Sequence, residues 1–110
     1  KAAADVMLGQ MAIDGLDAVC FRAFNHTGPG QSPDYVVSAF ARQVARIEKG
    51  AQPRKVTVGG LESRRDFLDV RDVADAYVKA LAKPSFASGE RTLNIASGAA
   101  RRIGDILDAL

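Results

Sequence analysis

Residues 16–24, Leu16-Asp17-Ala18-Val19-Cys20-Phe21-Arg22-Ala23-Phe24, run directly into residues 25–34, Asn25-His26-Thr27-Gly28-Pro29-Gly30-Gln31-Ser32-Pro33-Asp34. The first stretch is largely apolar, as expected of a strand covered on both faces in a parallel sheet. The second is polar and rich in glycine and proline, and it reads as a loop. Loops at the carboxyl ends of parallel strands are where open α/β sheets bind ligands. Asn25 and His26 stand at that junction, and Gly28 and Gly30 let backbone come close to a bound group. Spacing alone also allows an ordinary turn.

The flanking segments read as helices. Residues 2–14 are apolar nearly all round, with only Asp5, Gln10 and Asp14 as a polar stripe, so this helix needs cover on more than one side. Gly15 supplies its stop. A second helix is expected over about 35–49, with Val37, Phe40, Val44 and Ile47 on one face and Gly50 at its end. Short strands are expected at 55–58 and 66–70. Asp72 then caps a third helix with Val73, Ala76, Tyr77, Ala80 and Leu81 inward, closed off by Pro84. Residues 92–96 read as a strand, and a last helix starts near Arg101. Strands alternating with helices imply α/β architecture.

Both ends read as cuts through longer elements. Residue 1 is Lys and opens straight into a helical pattern. Ile103, Ile106, Leu107 and Leu110 keep helical spacing up to the last residue.

Composition narrows the function classes. The chain has 110 residues, with 15 basic and 13 acidic side chains and a net charge of +2, too balanced to suggest a nucleic-acid partner. No apolar run approaches the ~18 residues of a membrane span, so a membrane partner is not expected and the cytoplasm is the expected location. The lone Cys20 forms no internal disulfide and reads as a buried, inert thiol. His26 is the only histidine, with no Ser or Cys nucleophile pattern beside it, which disfavours a hydrolase triad. No ligand cluster suggests a metal. Arg42, Arg46, Lys49, Arg54, Lys55, Arg64 and Arg65 form a basic stretch, most of it readable as a solvated face. Arg65 stands apart because it directly precedes an apolar strand, where a guanidinium fork suits a phosphate. An ion pair with Asp66 or Asp69 would equally explain it.

Three segments carry a resemblance. Arg22 to Gln31 (RAFNHTGPGQ) resembles the R-x-F-N-x-x-G-P-x segment of the extended short-chain dehydrogenases that act on nucleotide sugars. Gly59 to Val73 (GGLESRRDFLDVRDV) resembles that family's R-D-F-x-x-V-x-D-V stretch, and Leu93 to Gly98 (LNIASG) its later L-N-I-x-x-G strand. Their order and spacing agree over most of the chain. The loop and the GLESRRDFLDVRDV stretch look most like the branch of GDP-4-keto-6-deoxy-mannose reductases and their dehydratase relatives. The dehydratases carry a basic pair after the loop; Gln31-Ser32-Pro33-Asp34 here favours a reductase or epimerase.

The resemblance implies the C-terminal half of an extended Rossmann-type fold over residues 1–110. It would comprise the end of the Rossmann domain and the substrate-binding portion, with the N-terminal cofactor-binding half not included. Lys1, followed by Ala2-Ala3-Ala4-Asp5, looks like the lysine of the family's Y-x-x-x-K signature, which binds the nicotinamide ribose and lowers the pKa of the catalytic tyrosine. That tyrosine would precede Lys1 by four residues. The cofactor implied is NAD or NADP, bound mainly by the other half, with Lys1 and His26 beside it. The partner implied is a nucleotide-diphosphate sugar, with Asn25 and Arg65 as substrate-binding residues. The first helix is the expected homodimer surface. The implied reaction is reduction of the 4-keto group of a GDP-6-deoxy-hexose, and the isolated chain is expected to be inactive. A UDP- or dTDP-sugar 4-epimerase or dehydratase, a non-catalytic binding module, and a dimerising structural unit stay open beside it.

Overall fold

The computed structural model describes residues 2–82 and 91–110. In chain order the elements are α1 (Ala2–Ile13), β1 (Cys20–Ala23), β2 (Asn25–Thr27), α2 (Val36–Glu48), β3 (Arg64–Asp69), α3 (Val70–Ala82), β4 (Thr92–Ile95), β5 (Ala100–Arg102) and α4 (Ile103–Asp108). Two small sheets result. β1 pairs in parallel with β4, while β2 pairs in parallel with β3, whose other edge takes β5 antiparallel. The α/β expectation holds. Pro84 and Lys1 lie outside the described residues.

The continuous strand expected over 16–24 is shorter, Cys20–Ala23, and a second strand follows it over Asn25–Thr27. After Ala23 the backbone leaves β4 at Phe24, whose N–H still donates to the Ile95 carbonyl over 2.9 Å, and from Asn25 it pairs with β3. The polar segment 25–27, expected as loop, is therefore β2. Nor is the apolar run covered on both faces: Cys20 and Phe21 are half-buried, and Arg22 and Ala23 are exposed.

Helix ends follow the glycines. At Gly15 (φ 104°) the Leu16 N–H reaches the Met11 carbonyl at 2.9 Å and the Gly15 N–H the Ala12 carbonyl at 3.3 Å. Gly50 (φ 66°) repeats the pattern after α2, with Ala51 to Arg46 at 2.8 Å and Gly50 to Ile47 at 3.0 Å. This double bond to the last free carbonyls needs a left-handed residue, which glycine adopts without a steric cost.

Four other expectations need correction. Residues 55–58 are not paired as a strand, because Gln43 of α2 takes the place of a neighbour. Its Nε2 donates to the Thr57 carbonyl (3.0 Å), and its Oε1 accepts from the Thr57 N–H (2.8 Å). The cap of α3 is Asp69, not Asp72: Asp69 Oδ1 accepts the Arg71 N–H at 2.8 Å, two residues into the helix. Residues 100–102, expected at the start of the last helix, are β5. Of the side chains of α3 expected inward, Leu81 is 87% exposed, about 80° round the helix from the buried Val73, and Tyr77 is also exposed, at 46%.

The buried apolar side chains among the described residues are Phe40 on α2, Val73 on α3 and Ile103 on α4. Each contributes about 1.5–3 kcal/mol. Val37, Val44 and Ile47 line up half-buried with Phe40 as expected, and the Tyr77 ring meets Phe21 edge-on at 5.0 Å. This is a thin interior. The radius of gyration is 18.3 Å, against about 13 Å for a compact 100-residue domain. Several apolar faces therefore stand open, above all that of α1, where Val6, Met7, Met11 and Ile13 are exposed.

Candidate ligand cavity at the carboxyl ends of β1 and β2

A cavity of about 890 Å³ is walled by residues 23–31, the start of α2, Gly59, Gly60, Ser63, Arg65, Phe67, Val70 and Ile103. Asn25, His26 and Arg65 all lie on it, so the fold brings together three residues from two separate stretches of sequence. Lys1 is outside the described residues.

Strand alternation sorts them. Asn25 stands opposite Phe67 in the β2–β3 ladder, and Phe67 is two residues from Arg65, so Asn25 and Arg65 share one face. His26, opposite Leu68, points to the other face. Its Nδ1 lies 3.0 Å from the Phe24 carbonyl. A carbonyl only accepts, so Nδ1 is the donor in this contact, and Nε2 is the ring nitrogen free to meet a ligand. Arg64, next to Arg65, is not on the cavity wall.

Arg65 is exposed. Its Nη1 donates to the Arg64 carbonyl at 2.8 Å, and among the described residues no carboxylate lies within ion-pair distance of it. The two carboxylates that could have neutralised it are engaged elsewhere. Asp66 accepts the Ser97 and Gly98 N–H groups at 3.0 and 2.9 Å. The Ser97 side chain first, then these amides, hold its carboxyl below the ordinary range. Asp69 pairs with Arg71, whose guanidinium and then backbone N–H bring its carboxyl down to about 2. The ion-pair explanation of Arg65 through Asp66 or Asp69 is thus not what the structure contains.

The loop is held by a residue whose role the sequence did not reveal. Gln31 Oε1 accepts the Thr27 hydroxyl (2.8 Å) and the Ser38 hydroxyl (3.1 Å), and its Nε2 donates to the His26 carbonyl (3.1 Å). One amide thereby ties β2, the loop and α2 together. The four-residue spacing of Thr27 and Gln31 was the only hint. Gly28 is needed for space: a Cβ there would sit inside the Val70 Cγ1 contact radius, so no other residue lets the loop lie this close to the start of α3.

Behind the cavity, Asp5 links α1 to β1. It accepts from Arg22 Nε at 3.2 Å and from Cys20 Sγ at 2.9 Å, so it belongs to the helix–sheet contact and not to a solvated polar stripe. Arg22 first and Cys20 second hold its carboxyl low, and Asp5 in turn pushes the half-buried Cys20 thiol up. A raised thiol pKa means little thiolate, in keeping with an inert cysteine. Among the described residues there is no cluster of metal-ligand side chains, and no helix is long and apolar enough to cross a membrane.

The profile of the NAD dependent epimerase/dehydratase family matches residues 1–96, and the chain belongs to that family. It is 37% identical over its whole length to GDP-6-deoxy-D-mannose reductase of Pseudomonas aeruginosa, of which it covers 36%. The structure of RMD from Pseudomonas aeruginosa complexed with NADPH superposes with a TM-score of 0.87 at 36% identity, over 98% of this chain and 37% of that one. The UDP-glucose 4-epimerase of Thermus thermophilus, in complex with NAD, superposes with a TM-score of 0.73 at 34% identity, over 99% of this chain and 35% of that one. The Rossmann-type fold expected from the sequence is therefore established, and the chain spans about a third of the length of these relatives.

Proposed function

We propose that residues 1–110 are the C-terminal part of an NAD(P)-dependent enzyme that reduces the 4-keto group of a GDP-6-deoxy-hexose. The observation that carries this is the placement of Arg65. It has no carboxylate partner among the described residues, and it shares a sheet face with Asn25 on the wall of a large cavity. A planar cation with no internal counter-ion in such a place suits a diphosphate. Asn25 would hydrogen-bond the sugar-diphosphate region beside it.

The described residues carry no glycine-rich phosphate loop, so NAD(P) would be held mainly by sequence outside this chain. That cofactor supplies the hydride. This chain would place Lys1 at the nicotinamide ribose and against the proton-donating tyrosine. His26 would offer its Nε2 near the cofactor. The open apolar side of α1, with Val6 73% and Ile13 79% exposed, would be covered by a second copy of the enzyme. Nothing in these elements requires a membrane, and a cytoplasmic enzyme is the simplest setting.

The likeness to a UDP-glucose 4-epimerase supports a second reading on the same scaffold. Turnover separates them. The full-length protein, given GDP-4-keto-6-deoxy-mannose, should oxidise NADPH or NADH in step with loss of the keto sugar. Absence of that oxidation, together with interconversion of UDP-glucose and UDP-galactose, would establish the epimerase instead.

A further inference from the structure

The β3–β5 ladder sets arginine opposite arginine twice: Arg64 faces Arg102, and Arg65 faces Arg101. Side chains directly opposite in an antiparallel ladder share a face with Cβ atoms about 4.5–5.5 Å apart, and like charges there repel. The two pairs are compensated differently. Arg102 has Glu62 Oε1 at 3.4 Å and Asp105 Oδ1 at 3.7 Å. Arg65 and Arg101 are both exposed, and among the described residues neither has a carboxylate within ion-pair distance. The register is held in place: Asp66, beside Arg65, clamps the Ser97 and Gly98 amides of the turn that leads into β5.

Two arginines set opposite each other by a held backbone register, without carboxylate partners among the described residues and with one of them on a cavity wall, form a site for an anion with charge on more than one group. We propose that Arg101 is a second ligand-binding cation, which joins Arg65 across the ladder to hold the phosphoanhydride of a nucleoside diphosphate. This rests on the reading of Arg65 given above and extends it to a residue on a different strand. The Arg64–Arg102 pair, on the opposite face and with Glu62 and Asp105 against Arg102, serves as the control.

Calorimetric titration of the full-length protein with GDP and UDP, and with GMP as the monophosphate, tests the pair. Arg101→Ala should weaken the better-bound diphosphate roughly tenfold or more, and GMP less, because the second phosphate is the group released. Arg101→Gln, which keeps a side chain of similar reach without charge, should do the same. The ligand-free melting temperature should hold or rise, because a like-charge neighbour has gone. Arg64→Ala should bind as wild type. Wild-type affinity in both Arg101 variants, with Arg65→Ala weakened, would overturn the pair and leave the role of Arg65 standing. Unchanged affinity in Arg65→Ala as well, or no binding of either diphosphate by the wild type, would remove both. An equal loss in Arg64→Ala would reduce the effect to general surface charge and also overturn the pair.

Discussion

Arg22 of β1 donates from Nε to Asp5 Oδ1 across 3.2 Å, joining residues 17 apart in sequence and pinning the first turn of α1 to the sheet. The same carboxylate accepts the Cys20 thiol and raises its pKa above the ordinary 9.0, first through that hydrogen bond and then through burial. Asp5→Ala should therefore bring the thiol pKa back down and increase the thiolate fraction at mildly alkaline pH. Alkylation of Cys20 at pH 8 should be faster in the variant, and the melting temperature lower. An unchanged alkylation rate would contradict the coupling.

Gly28 faces Val70 with no space for a Cβ. Gly28→Ala should destabilise the full-length protein by about 1–3 kcal/mol, the usual cost of overpacking. Val70→Ala in the same chain should recover part of the loss, because it removes the methyl groups that collide. Denaturant titration of the two single variants and the double variant measures that coupling. Additive effects would place the strain elsewhere.

Asp69 caps α3 and pairs with Arg71, which lowers its carboxyl from the ordinary 3.8 to about 2. A carboxyl whose folded pKa is depressed adds stability that is fully present above its unfolded value and is lost as pH falls through the folded one. The contribution should hold above about pH 4 and fade toward pH 2. Asp69→Asn keeps a good capping side chain but does not titrate. Between pH 4 and 2 its melting temperature should fall less steeply than that of the wild type. Asp5 and Asp66, also held low, titrate in both proteins and drop out of the comparison. Parallel curves would show that Asp69 is not a source of the acid sensitivity.

Helix α2 and the glycine stops were legible in the sequence because they depend on local spacing and on glycine conformation. What escaped depended on distant partners. The apolar run from Leu16 to Phe24 and the polar Asn25-His26-Thr27 after it look unlike, yet both supply a strand, and nothing local marks the change of partner from β4 to β3 at Phe24. Lys55 to Val58 has strand composition, yet its partner is the side chain of Gln43. Asp69 was passed over as a cap because β3 runs into α3 with no glycine, proline or loop between them. β5 exists because Asp66 clamps a turn 31 residues away. Asn25, His26 and Arg65 were legible as candidates because strand ends and a basic residue at a strand start are local features. Gln31 and Arg101 act through a folded-back loop and a ladder register, which only the structure supplies.

The central claim is that the Arg65 guanidinium holds the diphosphate of a nucleotide sugar. Its most direct test measures KM for the keto sugar and the melting temperature together in full-length Arg65→Ala. A charge-assisted contact made alike in ground and transition states should appear in KM, raised roughly 10–150-fold, with kcat little changed. Arg65→Lys should recover only part of this, since it lacks the bidentate fork. The expected result is that rise in KM at a nearly unchanged melting temperature. An unchanged KM with a lowered melting temperature would make Arg65 a structural residue and contradict the claim.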